Sequence, residues 1–337
     1  MAADQNRPAK LQDIAEKIGV SVSTVSRALA GHSSISEETR LLVRKIAEEH
    51  NYDLGRKLRG ADRKQITVVM PVLPYGAPKM AEPFSLSLLG GIGTAMRERE
   101  IDFSISYRVP RDNDTLYELM DSYPYGGFIF LGQSQFHDAL NKFARQGRAF
   151  AVWGAELAHQ EYCSIGTDNV FGGQRATSHL LRLGRQRIAF LGAINLMEIE
   201  QRVEGYKAAI EQAGLFVDKS LIQACRLTYE AAFDAVDDLL DKGLHFDGIV
   251  AASDMLAVGA IRALGRRGIE VPRDVSVVGY DDVDIASYTH PALTTIRQDV
   301  VKAGSLLVSK VVRRLSGHSA PSERVPTELI VRESCGA

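Results

Sequence analysis

From Ile66 onward, short continuous apolar runs alternate with amphipathic stretches of helical period: ITVVM, then SLSLLGGIGTAMRERE, FSISY, GGFIFL, ALNKFARQG and AFAVW. No other feature narrows the fold as much. An apolar run without polar alternation is a strand buried on both faces, and a chain that passes from one such strand to the next through helices builds a parallel sheet. A second series repeats the pattern: FGGQRATSHLLRLG, RIAFLGA, RVEGYKAAIEQAG, AAFDAVDDLLDKG, GIVAA, DMLAVGAIRALGRRG and VSVVGYDD. Two series in one chain predict two α/β lobes.

Ahead of them, KLQDIAEKIGVSVSTVSRALAG (Lys10 to Gly31) reads as two short helices joined by a tight turn. Ile14, Ala15 and Ile18 form one apolar stripe, with Asp13, Glu16 and Lys17 on the wet side, and Gly19 can end the helix at positive φ. Ser21 can cap the second helix. Val25, Ala28 and Leu29 then point inward, leaving Val22, Ser23, Ser26 and Arg27 on the outer face. Ser36, followed by Glu37 and Glu38, opens a third helix whose Leu42, Val43, Ile46 and Ala47 close the unit. This spacing is that of a helix-turn-helix, which lays its second helix in a DNA major groove; the bland alternative is a surface helical hairpin.

SVSTVSRALAG, then ISEETR, then HNY resemble the DNA-binding head of the lactose- and purine-repressor (LacI/GalR) family. The resemblance implies that Val22, Ser23 and Arg27 read base edges, while Thr24 and Ser26 meet phosphates. It also implies that the basic linker DLGRKLRGADRKQ folds into a hinge helix on DNA and inserts Leu58 into the minor groove. The expected organisation is a helix-turn-helix domain over residues 1–52, a linker over 53–64, and an α/β domain resembling periplasmic sugar-binding proteins over 65–337. Its first lobe would take about 65–165 and 296–325, its second about 168–293 and 327–337. The chain would cross between lobes near Ile165 to Asp168, Thr294 to Arg297, and Val325 to Glu328. Departures are visible: Lys10 stands where many relatives cap the first helix, and the linker is about three residues short and lacks the usual Pro-Asn-x-x-Ala lead-in.

The net charge of −2 hides an uneven spread, because residues 1–64 carry twelve Lys and Arg against nine Asp and Glu. One head with so small an excess would hold phosphate weakly, so a homodimer on a pseudo-palindromic operator is expected, and the resemblance implies that it is joined through the α/β lobes. No apolar run reaches membrane-span length and MAADQNRPAK lacks a secretory core, so the expectation is a cytoplasmic protein with no membrane partner. Cys163, Cys225 and Cys335 are far apart with no CxxC pairing, which predicts reduced thiols and no metal or cofactor.

Small molecules bind outside the carboxyl ends of strands in doubly wound sheets, which draws attention to Asp168, Asp254 and Asp281 after their apolar runs and to Arg202 in QRVEGYKAA. Asp254 could equally cap a helix, and Asp168 could brace a crossover. The matching family motifs, RxEGY and GYDD, imply that Arg202 and Asp281 face the cleft; Phe84 and Ser87 match pocket positions in the loop after ITVVM. Gly154 replaces an acid that many relatives use to hold a ligand hydroxyl, and Leu227 stands where an aromatic often stacks. A hydroxyl-bearing effector, a sugar or sugar acid, is expected, with Arg202 available to pair a carboxylate.

An enzyme is not indicated. GGIG at 90–93 falls inside a helix and lacks a following GK[ST], and there is no GxSxG or HExxH. The other readings are a regulator controlled by a partner protein and a sugar-binding protein of transport type, the latter disfavoured by the DNA reader and the missing export signal.

Overall fold

The computed structural model describes residues 11–29, 35–49, 65–70, 82–106, 108–123, 126–133, 135–192 and 195–337. The chain divides into two compact units, Met1–Lys64 and Gln65–Ala337.

In the first unit, α1 (Leu11–Ile18), α2 (Val22–Leu29) and α3 (Glu37–Glu49) enclose a small core of Leu11, Ile14, Ala15, Val25, Ala28, Val43 and Ala47. Gly19 takes φ 74°, a region L-residues with a Cβ avoid, and this lets the chain turn within three residues into α2. Ser21 Oγ accepts from Thr24 N at 3.1 Å, and Ser36 Oγ accepts from Thr39 N at 3.3 Å, so both expected caps form. Leu42 corrects the expected core: it is exposed, like Leu41. Val43, Ile46 and Ala47 define the inward stripe, and Leu42 lies about 100° round the helix from Val43, on the shoulder.

The second unit contains two six-stranded sheets. In the first lobe the chain runs β1 (Ile66–Val69), α4 (Pro83–Arg97), β2 (Phe103–Ile105), α5 (Asn113–Ser122), β3 (Gly127–Leu131), α6 (His137–Arg145), β4 (Phe150–Trp153) and β5 (Ser164–Thr167). The second lobe holds α7 (Asn169–Arg182), β6 (Ile188–Gly192), α8 (Met197–Gln212), β7 (Ile222–Ala224), α9 (Tyr229–Asp241), β8 (Gly248–Ala251), α10 (Asp254–Arg266), β9 (Ser276–Asp281), α11 (Ile285–Tyr288) and β10 (Thr294–Gln298). The chain then returns as α12 (Val300–Leu315) and β11 (Glu323–Val325) to the first sheet and ends with β12 (Thr327–Ile330) in the second.

From the outer edge, the sheets run β2-β1-β3-β4-β5-β11 and β7-β6-β8-β9-β10-β12. The two orders are the same, so the second lobe repeats the first. In each, the order reverses beside the first strand, β1 or β6, which opens a crevice at the carboxyl ends there. All pairs in the first sheet are parallel; β12 runs antiparallel to β10 in the second.

The second crossing lies later than the sequence pattern suggests. All of Thr294–Gln298 belongs to the second sheet, parallel to β9 and antiparallel to β12. Arg297 also bonds Asp282 at 2.7 Å and Glu328 at 3.3 Å, fastening the strand end to both neighbours. The chain therefore leaves this lobe after Gln298, and α12 rather than residue 296 begins the return.

Glycines set the closest helix contacts in both lobes. A Cβ on Gly304 of α12 would lie 2.3 Å from Gly91 C of α4, and one on Gly205 of α8 would lie 1.9 Å from Val170 O of α7. The two pairs pack backbone against backbone.

Candidate DNA-reading face and effector cleft

The α2 face comes first. Val22, Ser23 and Arg27 are exposed and Thr24 is half-buried. The Arg27 guanidinium folds back along its helix, donating from Nε to Ser23 O and from Nη2 to Ser23 Oγ, both at 3.4 Å. Ser21 Oγ stands 2.8 Å from both Ser23 Oγ and Thr24 Oγ1. The face thus presents a fork-shaped cation, three hydroxyls and one apolar side chain, which suits phosphate oxygens and base edges together. Ser26 lies on the same helix, but its side chain is outside the described residues, as are Leu58 and the whole 53–64 linker.

In the α/β unit the polar groups gather where the two sheets meet. Thr167, at the end of β5, donates to Gln298 Oε1 at 2.7 Å; Gln298 Nε2 donates to Asp281 Oδ1 at 2.7 Å. All three are buried. Asp281 takes φ 115° and Asp282 φ 59°, conformations costing on the order of 1–3 kcal/mol each that persist only where neighbours over-determine them. Here they do: Asp282 holds Arg297 and Arg332, and Val283 N is held by Asp254.

Arg202 lies inside α8, five residues after its start, and is buried. Its Nε donates to Asn169 Oδ1 at 2.9 Å, its Nη1 to Ala252 O at 2.6 Å, and its guanidinium lies 3.6 Å from the Tyr280 ring centroid. Burial raises the Asp281 carboxyl well above its usual range, opposed by the Arg202 charge and reinforced by Asp254 and Glu82. Glu82, on the first lobe, caps α4 by accepting from Phe84 N and Ser85 N.

The remaining expected residues fall into different places. Asp168 is exposed and caps α7 through Phe171 N at 2.9 Å. Phe84 is half-buried with its ring 5.7 Å from that of Trp153, and the Ser87 hydroxyl donates back to Pro83 O at 2.9 Å. Asp254 is neither a cap nor an exposed ligand group. Ser253 caps α10, while Asp254 is wholly buried, accepting from Thr295 Oγ1 at 2.5 Å and from Val283 N at 2.9 Å. Its role in the geometry is to brace the Asp281–Val283 turn.

The 10–53 segment matches the model for bacterial regulatory proteins of the lacI family, and residues 177–335 match that for the periplasmic binding protein-like domain. The regulator CelR of Thermobifida fusca is 30% identical over 98% of this chain and 99% of its own. The chain belongs to the LacI family. AscG of Escherichia coli K12, another transcriptional regulator, is 30% identical over 96% of this chain and 97% of its own. Among solved structures, a CelR–cellobiose complex (29% identity, TM-score 0.70) covers 97% of this chain and all of its own. The lac repressor dimer bound to operator and the anti-inducer ONPF (24% identity, TM-score 0.74) covers 98% and 100%, and shares the fold.

As a member of the LacI family, the protein is a DNA-binding transcriptional regulator. Among the described residues no helix is long and apolar enough to cross a membrane, and no His, Cys, Asp and Glu group could hold a metal. Burial pushes the Cys163 and Cys225 thiols up to about 11, so they are poor nucleophiles. The sequence pattern alone does not single out Gln298, Thr167, Asn169 and Tyr280. Only Tyr280 carries a signal there, as the residue inside GYDD.

Proposed function

We propose that this regulator is a repressor that binds a pseudo-palindromic operator as a homodimer, releasing or gripping it according to a small neutral sugar held between the two lobes. What carries the proposal is the buried Thr167–Gln298–Asp281 chain, since it joins both lobes at the strand ends where the sheets present donors and acceptors. The similarity to CelR, whose solved structure is a complex with cellobiose, supports a sugar as the ligand class. Phe84, Ser87 and Asp168 would add contacts at the rim, with Asp254 holding the Asp281 turn in place.

A sugar acid is disfavoured. Arg202 already spends Nε and Nη1 on Asn169 and Ala252 and lies with its guanidinium over the Tyr280 ring, which leaves it poorly placed to pair a ligand carboxylate. On DNA, Val22, Ser23 and Arg27 would read bases, Thr24 and Ser26 would meet phosphate, and Leu58 of the linker would act as an apolar wedge.

A thermal-shift titration with ribose, cellobiose, gluconate and glucuronate, followed by operator binding with and without the hit, tests this reading. A neutral sugar should raise the melting temperature and change operator affinity. Stabilisation by the acids alone, or by none of the four, would reject the ligand class.

A further inference from the structure

Gln133 and Ser253 occupy the same place in the two repeats. β3 ends at Leu131 and β8 at Ala251, and each residue follows its strand by two positions. Both strands flank the reversal of strand order, so both residues stand at the crevice side of their sheets. Gln133 is buried at 1% exposure. Its Nε2 donates to Ala155 O at 2.6 Å and faces Tyr162 Oη at 3.2 Å and Gln160 Oε1 at 3.4 Å. A carbonyl oxygen at 2.6 Å tolerates only the N–H side of the amide, which fixes which way the group points.

Gln133 Oε1 is thereby turned the other way, buried and accepting no protein hydrogen bond. It is aimed at Gly154: a Cβ built there would lie 2.2 Å from Oε1 and 2.7 Å from Cδ. The amide carbonyl therefore fills the space into which a side chain at 154 would project. Neighbouring groups place this spot beside a contact between the two lobes. Trp153 meets Phe84 of α4, and Glu156 O accepts from Gln201 of α8, the residue before Arg202, at 3.2 Å. A buried acceptor without a donor is costly, and native structures keep few of them without a use.

Accepting the reading of the cleft as a sugar site, we infer that Gln133 is a specificity-determining residue whose Oε1 accepts a hydrogen bond from a hydroxyl of the sugar. An uncharged acceptor at this position takes a neutral hydroxyl and repels a carboxylate. The Tyr162 hydroxyl, held up at about 12 by burial, stays protonated behind the amide and adds no charge.

Two variants reach the same carbonyl by different routes. Gln133→Met keeps the length of the side chain and removes the acceptor. Gly154→Ala leaves Gln133 in place, but its methyl meets the flexible end of the glutamine and must turn the amide away. Trp153 is the one tryptophan of the sequence, so its fluorescence reports the titration of ribose and of cellobiose directly. Both variants should bind the responding sugar about tenfold or more weakly, as expected for one lost hydrogen bond with a desolvated partner. Both variants also release Ala155 O from Gln133 Nε2, so the melting temperature should fall modestly in each, while sugar-free DNA binding stays close to wild type. Binding within about twofold of wild type in both variants overturns the assignment and leaves the sugar site standing. Loss of the fold in both makes Gln133 a structural buttress. Absence of any response from the wild-type chain to either sugar removes the site reading, and this inference with it.

Discussion

The Thr167 hydroxyl donates to Gln298 Oε1 at 2.7 Å, linking the end of the last strand of the first lobe's opening series to the end of the strand where the second lobe hands the chain back. Both residues are buried, and Gln298 passes the bond on to Asp281. Thr167→Val keeps the shape and leaves Gln298 Oε1 without its donor. Urea denaturation should show a loss of about 1–3 kcal/mol, the cost of a stranded buried acceptor. A change within experimental error would mean that solvent replaces the hydroxyl.

Burial raises the Asp254 carboxyl to about 7 and lifts Asp281 well above its usual range, with smaller upward contributions from neighbouring acids. Both folded values exceed the unfolded ones, so the folded chain retains protons that the unfolded chain has released. The stability these groups contribute is therefore full below about pH 4 and is lost as pH rises towards 7. Asp254→Asn copies the protonated form: its carbonyl can accept from Val283 N and its amide can donate to Thr295 Oγ1. Melting temperatures from pH 4 to 8 should fall less steeply for the variant than for wild type. Parallel profiles would show that Asp254 does not titrate in this window.

A Cβ at Gly205 would meet Val170 O at 1.9 Å and Gln174 N at 2.6 Å, both backbone atoms. Neither can turn aside, so Gly205→Ala should cost about 1–3 kcal/mol or more in chemical denaturation, with sugar affinity falling as Asn169 and Arg202 are parted. Gly265, near the end of α10, has nothing within 4 Å of a built Cβ. Gly265→Ala should stabilise by up to about 1 kcal/mol. The contrast between the two is the check on the packing.

Arg27→Ala should weaken binding to the specific operator by about 1–3 kcal/mol in fluorescence anisotropy, with much less change on random DNA. Equal losses on both would make Arg27 a phosphate contact.

What can be read from the sequence follows from how local its cause is. The α1 and α2 faces are legible because two turns of helix show their buried stripe within eight residues, whereas Leu42 sits on the shoulder of such a stripe, where period alone does not decide. The alternation of strands and helices announces both lobes. Asp281 stands out as a charge after a strand-like run, and Arg202 only through the RxEGY motif that the family resemblance supplies. Gln298 does not, because its partner Thr167 is 131 residues away and neither residue type is unusual after a strand. Asp254 is legible as a helix start, but the choice between capping and bracing rests with Thr295 and Val283, which only the folded chain brings near. Gln133 leaves no trace in the sequence, although the missing side chain at Gly154 does.

Backbone-to-backbone glycine contacts stiffen each lobe, and three short segments join the lobes: 167–169, 298–300 and 325–327. Strands β5 and β11 are neighbours in one sheet and β10 and β12 in the other, so these segments leave adjacent strands. A door hung on three leaves swings about one line and resists sliding. The relative motion of the lobes is then close to a single degree of freedom, and a molecule closing on both walls can do its mechanical work only as torque about that line. One angle, followed by a pair of labels placed on the two lobes, would describe it.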